Sequence, residues 1–140
     1  MRPRILVDTG PLVALLDRRD HYHSWVKAQL RTMNPPLDTC EAVLSEACFL
    51  LARLPGGPQS VIELVTKGLV NVSFSLQEEA RAIQRLVLRY SDVPMALADA
   101  CMVRLAEIHE QSIVFTLDSD FKIYRKNGRT ILPILLPDDR

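Results

Sequence analysis

The chain has 140 residues, 48% of them hydrophobic and 24% charged, which suits one compact domain with a substantial core, and residues 1–140 are read as a single domain. Its 17 basic and 17 acidic residues cancel, which argues against a protein that holds nucleic acid by bulk electrostatics alone. No apolar run is long enough to span a bilayer, and the few apolar residues before Asp8 are too short for a secretory core, so a soluble, cytoplasmic protein is expected.

Arg4 to Asp8 reads as a buried strand that ends in an aspartate. Thr9-Gly10-Pro11 then suits the entry to a helix over Leu12 to Asp17. A second helix is expected from Tyr22 to Thr32, closed by Asn34-Pro35-Pro36, and a short strand near Leu37 to Thr39. Cys40, Cys48 and Cys101 show no C-x-x-C spacing and lie among apolar neighbours, so they suggest neither zinc nor a disulfide framework.

From Glu41 to Leu54, apolar residues recur at helical spacing up to the breaker Pro55-Gly56-Gly57-Pro58. On that helix Glu46 falls at the edge of the apolar stripe and is the carboxylate expected to face the interior, whereas Glu41 points away. A helix over 59–67, a strand over 69–74 and a helix from Gln77 to Tyr90 follow, the last carrying Arg81, Arg85 and Arg89 one turn apart. Ser91-Asp92-Val93-Pro94 reads as the start of a long helix running to about Glu110, with Asp99 set among apolar neighbours. A second strand, Ile113-Val114-Phe115-Thr116-Leu117, ends in Asp118-Ser119-Asp120. A short helix from Phe121 to Lys126, the turn Asn127-Gly128 and a strand from Thr130 to Leu136 complete the chain. Strands alternating with helices indicate an α/β protein, a three-layer sandwich around a mainly parallel sheet.

In such sheets the working crevice lies outside the carboxyl ends of the strands, where Asp8 and Asp118 would meet if their strands are neighbours. Each acid alone has a simpler reading. Asp8 and Asp118 can cap the helices that follow them, Glu46 can pair with Arg53, and Asp99 can sit at the positive end of its helix. Together they form a set of carboxylates in an apolar setting, which repel one another unless a hard divalent cation such as magnesium or manganese holds them. Such an ion binds phosphate oxygens and activates water, the chemistry of phosphodiester hydrolysis. Lys122, Arg125, Lys126 and Arg129 follow the second strand and are candidate phosphate contacts. The Arg81-Arg85-Arg89 stripe is another, although there a solvated face balanced by Glu78 and Glu79 is the simpler reading. The histidines read as solvated or capping groups, and no nucleophile elbow or phosphate-cradling glycine loop is present.

Four segments, residues 5–17, Val43-Leu44-Ser45-Glu46, Leu97-Ala98-Asp99-Ala100 and 115–121, resemble in order and spacing the PIN-domain nucleases, in particular the VapC-type toxins of toxin-antitoxin pairs. The resemblance implies a PIN-like sheet of about five strands and a magnesium- or manganese-dependent endoribonuclease that prefers single-stranded RNA. It makes Asp8, Glu46, Asp99 and Asp118 the acidic quartet that binds metal and activates water, Asp120 an auxiliary acid, and Thr9 and Thr116 residues that orient the ligands. It also implies a homodimer and a small cognate antitoxin. One position departs from the pattern: Gly10 stands where many relatives have serine. Two other readings remain, an inactive RNA-binding or protein-interaction module of the same fold, and a small-molecule phosphatase using Asp118 and Asp120. Phe121-Lys122 does not continue the D-x-D-x-T pattern of the latter.

Overall fold

The computed structural model describes residues 2–140. Its centre is a sheet of five strands, β1 (Arg4–Val7), β2 (Leu37–Thr39), β3 (Val70–Val72), β4 (Ser112–Phe115) and β7 (Ile134–Leu135), in the order β3-β2-β1-β4-β7. All four pairings are parallel. The two aspartate-ended segments are therefore neighbours: Val7 pairs with Phe115, and the Asp8 N–H donates to the Phe115 carbonyl at 3.0 Å. Leu6, Val7, Val114 and Phe115 are almost fully buried, as expected for central strands of a covered parallel sheet.

Six helices complete the expected three-layer α/β/α arrangement: α1 (Thr9–Leu16), α2 (His23–Leu30), α3 (Glu41–Leu50), α4 (Gly57–Thr66), α5 (Leu76–Arg89) and α6 (Leu97–Ile108). Leu12 of α1, Val26 of α2 and Leu64 of α4 converge on Val7 and Phe115 around one apolar cavity, and Trp25 lies with its ring 5.8 Å from that of Phe115. Helix α6 packs on β1 and β4 and has α5 alongside it. No helix among the described residues is long and apolar enough to cross a membrane.

Several boundaries differ from expectation for local reasons. Helix α6 starts at Leu97 and not after Ser91: the Asp99 carboxylate reaches back to the Ala96 N–H at 3.1 Å and sets the first turn there, leaving residues 91–94 as a turn. Helix α3 stops at Leu50, short of Leu54, and residues 51–53 form a turn. The helix expected over 121–126 is a 3-10 turn at Ser119–Lys122 followed by β5 (Arg125–Lys126). The strand expected over 130–136 is divided at Pro133, which has no N–H to continue a ladder. Its first part, β6 (Thr130–Ile131), pairs antiparallel with β5 across Asn127 and Gly128, both at positive φ as a tight hairpin turn requires, and its second part is β7.

Candidate active site

Asp8 ends β1 and enters α1, 5% exposed. Its side chain does not cap α1. Instead Asp8 Oδ2 accepts the Thr116 hydroxyl at 2.7 Å, and the same hydroxyl accepts the Asp118 N–H at 2.9 Å. One buried threonine thus ties the ends of β1 and β4 together. Asp118 is half-buried and does cap: its Oδ1 accepts the Asp120 N–H at 2.9 Å, so the simpler reading describes one of its two oxygens.

Asp99 approaches from the first turn of α6. Oδ2 accepts the Ala96 N–H and, at 3.3 Å, the hydroxyl of the fully buried Tyr124. Tyr124 is held edge-on by Phe121 and Tyr90, with ring centroids 5.3 and 5.1 Å away. Nothing in the sequence singles out Tyr124. Its place four residues after Asp120, following Phe121 and Ile123, is the only available hint.

The acids affect one another. Burial pushes the Asp8 carboxyl up to about 7, and the charges of Asp99 and Asp118 add to the rise. Burial also raises Asp99, with smaller contributions from Asp118 and Glu46. The Tyr124 phenol is raised by burial and then by the charges of Asp99, Asp120 and Asp118. These effects bring Asp8, Asp99 and Asp118 into one electrostatic neighbourhood, with Asp120 and Glu46 at its margin. Glu46 is a correction, because the helical wheel placed it toward the interior and it is exposed. Nor does it pair with Arg53, whose guanidinium lies 2.8 Å from the buried Asp17.

Thr9, 3% exposed, opens α1, and its Oγ1 is buried without a hydrogen-bond partner. Such an orphan beside a carboxylate cluster is unusual in a native interior. All the polar groups gathered here are oxygen donors, the chemistry that suits a hard divalent cation. Among the described residues, no three acidic, histidine or cysteine side chains come close enough to enclose a metal ion between them. Magnesium and manganese are commonly held by one or two carboxylates, with water and phosphate oxygens filling the remaining positions, and the oxygen groups of Asp8, Asp99 and Asp118 are of the kind such ions take.

The basic residues beyond β4 are largely committed elsewhere. Lys126 is buried and its Nζ donates to the Glu110 carbonyl at 3.1 Å, which withdraws it from any phosphate. Arg125 Nη1 donates to the carbonyls of Lys122, Ile123 and Tyr124. Lys122 is exposed, its Nζ 2.7 Å from the Arg140 carbonyl. One buried acid that sequence reasoning missed lies at the other end of the sheet: Asp38 on β2 receives Arg4 at 3.4 Å and Asn71 at 3.2 Å, away from the strand ends that carry Asp8 and Asp118.

None of the curated proteins matches the chain. Among solved structures, it is similar to VapC20 of Mycobacterium tuberculosis, described as a sarcin-ricin loop cleaving toxin. The TM-score is 0.73 and the identity 20%, covering 92% of this chain and 99% of that one. It is also similar to a chain of VapBC2 from Rickettsia felis, bound to a DNA fragment from its promoter, with TM-score 0.63 and 13% identity over 96% and 98% of the two chains. At these identities the likeness is one of fold. The PIN domain family model matches residues 5–127, nearly the whole length from β1 through the β5–β6 turn, and the chain belongs to the PIN-domain family.

Proposed function

We propose that this protein is a divalent-metal-dependent endoribonuclease and the toxin of a toxin-antitoxin pair. The observation that carries the reading is the placement of Asp8, a carboxylate buried at a strand end and tied through Thr116 to Asp118 at the end of the neighbouring strand, where burial and the charges of Asp99 and Asp118 raise its carboxyl. A cation relieves that repulsion and desolvation together. The orphaned Thr9 hydroxyl beside it supports the same reading. Magnesium or manganese, when bound, would supply charge neutralisation at the phosphate and a more acidic water.

In this reading Asp8, Asp99 and Asp118 would hold the metal, with water completing its coordination. Thr116 fixes the Asp8 carboxylate, and Tyr124 fixes that of Asp99. Glu46, exposed but close enough to add to the charge felt by Asp99, completes the acidic set and helps position the attacking water. Asp120 contributes charge from the margin. The fold likeness to VapC20 and to VapBC2 supports RNA as substrate and a small cognate antitoxin as partner; a homodimer is what the family resemblance implies.

The test is cleavage of a mixed RNA pool with magnesium, manganese or chelator, by the parent protein and by Asp8→Asn. Metal-dependent cuts that disappear in the variant are expected. Equal cutting by both proteins would remove Asp8 from the mechanism, and an absence of cuts under every condition would favour an inactive binding module.

A further inference from the structure

Helix α5 is the most sharply two-sided helix of the fold. Ala82, Ile83 and Leu86 are buried, while Arg81, Arg85 and Arg89 stand exposed one turn apart. The simplest account of such a stripe is a solvated face neutralised by Glu78 and Glu79, and the structure takes Glu79 out of that account. Glu79 is bound to Arg104 at 2.6 Å on the side facing α6. Among the described residues, none of the three arginines forms an ion pair. Arginines four residues apart repel, so the helix carries two unfavourable like-charge pairs, and Glu78, three residues before Arg81, forms no ion pair with it among the described residues.

The ridge is also directed. Its last member, Arg89, has its guanidinium beside Gly128 of the hairpin turn, where Asn127 donates its N–H to Glu107 late in α6, and only the helix end that carries it is tied toward the acids. The next residue, Tyr90, stacks edge-on against Tyr124 and accepts the Arg125 N–H at 2.9 Å. Tyr124 in turn touches Asp99. Arg89 therefore stands at the end of α5 nearest the acids, and Arg81 is about 12 Å farther along the helix axis.

We propose that Arg81, Arg85 and Arg89 form a binding ridge for the sugar-phosphate backbone of a single-stranded RNA whose neighbouring segment occupies the acidic site. The assignment rests on the ribonuclease reading above. A row of evenly spaced guanidiniums suits the repeating phosphates of a polyanion, and the end of α5 that carries Arg89 is the one linked through Tyr90 and Tyr124 to Asp99. The ridge also resolves a difficulty of the neutral chain: the acids repel RNA locally, and a cationic approach beside them supplies the compensating attraction.

The experiment measures binding of a fluorescent single-stranded RNA of mixed sequence from 50 to 300 mM salt. Asp8→Asn serves as the background so that the RNA is not cut. Added to it is either the ridge triple variant Arg81→Gln/Arg85→Gln/Arg89→Gln or a control triple variant, Arg18→Gln/Lys27→Gln/Arg31→Gln, which removes equal charge from exposed positions around α1 and α2. Loss of three phosphate contacts lowers the slope of log affinity against log salt by about 2. That change is expected in the ridge variant, with little change in the control. Since the substitutions also remove like-charge repulsion, the melting temperature should stay level or rise, which separates lost contacts from lost folding. Equal slopes in the two triple variants would overturn the ridge while leaving RNA cleavage by the parent protein intact. A polyglutamate peptide that binds the parent through the ridge, with RNA affinity insensitive to it, would overturn it in favour of an acidic protein partner. No RNA binding by the Asp8→Asn background, together with no cleavage by the parent, would overturn both readings.

Discussion

Thr116 donates its hydroxyl to Asp8 at 2.7 Å, and with the same oxygen it accepts the backbone N–H of Asp118 at 2.9 Å. The threonine is fully buried, so both bonds operate away from competing water. It joins one acid's side chain to the other acid's backbone and fixes their separation. Thr116→Val keeps the shape and removes both bonds. In the proposed nuclease, loss of this kind of outer support is expected to weaken manganese affinity and RNA cleavage by roughly 10–100-fold. Isothermal titration of manganese and a cleavage assay check this; unchanged metal affinity would show that the bridge serves folding alone.

The raised Asp8 carboxyl makes stability depend on pH. Its ordinary value is 3.8 and its value in the fold about 7, so between these it is protonated when folded and ionised when unfolded. The folded state then binds more protons, and stability falls as pH rises through that window. Asp99, also raised, acts in the same direction. His109, lowered chiefly by burial and then by Arg4, works in the opposite sense, losing stability as pH falls below its ordinary value of 6.5. The balance is expected to favour the carboxylates: without divalent metal, the melting temperature at pH 8 should lie about 10 °C below that at pH 5, corresponding to a few kcal/mol. Asp8→Asn isolates the contribution of Asp8 by flattening the profile. Adding manganese at pH 8 should restore the parent. A parent protein whose melting temperature rises from pH 5 to pH 8 would contradict the burial argument.

Gly10 departs from the family pattern, and its surroundings explain why. A β-carbon there would lie 3.0 Å from Leu117 Cβ and 3.2 Å from its Cγ. Leu117 is buried and immediately precedes Asp118, so it cannot move aside without disturbing the site. Gly10→Ser is therefore expected to lower stability by about 1–2 kcal/mol despite the better helix propensity of serine. Leu117→Ala keeps the β-carbon and relieves only part of the conflict. Denaturant unfolding of both single variants and the double variant should give a favourable coupling of at least about 0.5 kcal/mol, whereas additive effects would separate the two positions.

How far the sequence predicts this structure depends on which interactions are local. The strand-end position of Asp8 and Asp118 follows from short β-branched runs, and the parallel sheet follows from their alternation with helices. The Asn127-Gly128 hairpin turn follows from its residue pair. The start of α6 does not, because Pro94 is a plausible first-turn residue and only the return of Asp99 to the Ala96 N–H selects the later start. Glu46 sits at the edge of a helical wheel whose orientation depends on the packing of α3, and that packing leaves it outside. The Thr116 bridge and the Tyr124 contact depend on register and on a chain path with no periodic signature. The Asp17–Arg53 pair is invisible for the same reason, because 36 residues separate its members.

Thr9 offers a way to separate function from folding. Its Oγ1 is buried with no partner, a state that costs about 1–3 kcal/mol relative to a satisfied hydroxyl. If the group existed for stability alone, a methyl in its place would serve better. Thr9→Val keeps the β-branched shape and removes the unsatisfied oxygen, so its folding stability is expected to equal or exceed that of the parent by up to about 1 kcal/mol in metal-free buffer. In the proposed nuclease the hydroxyl would support the bound ion through water, and the same substitution is expected to reduce metal-dependent cleavage by about 10-fold or more. Denaturant unfolding and RNA cleavage, measured on the same preparation, give the two values. Stability that rises while cleavage falls indicates an oxygen retained for chemistry; a variant that is more stable and fully active would leave the orphaned hydroxyl without a role in the site.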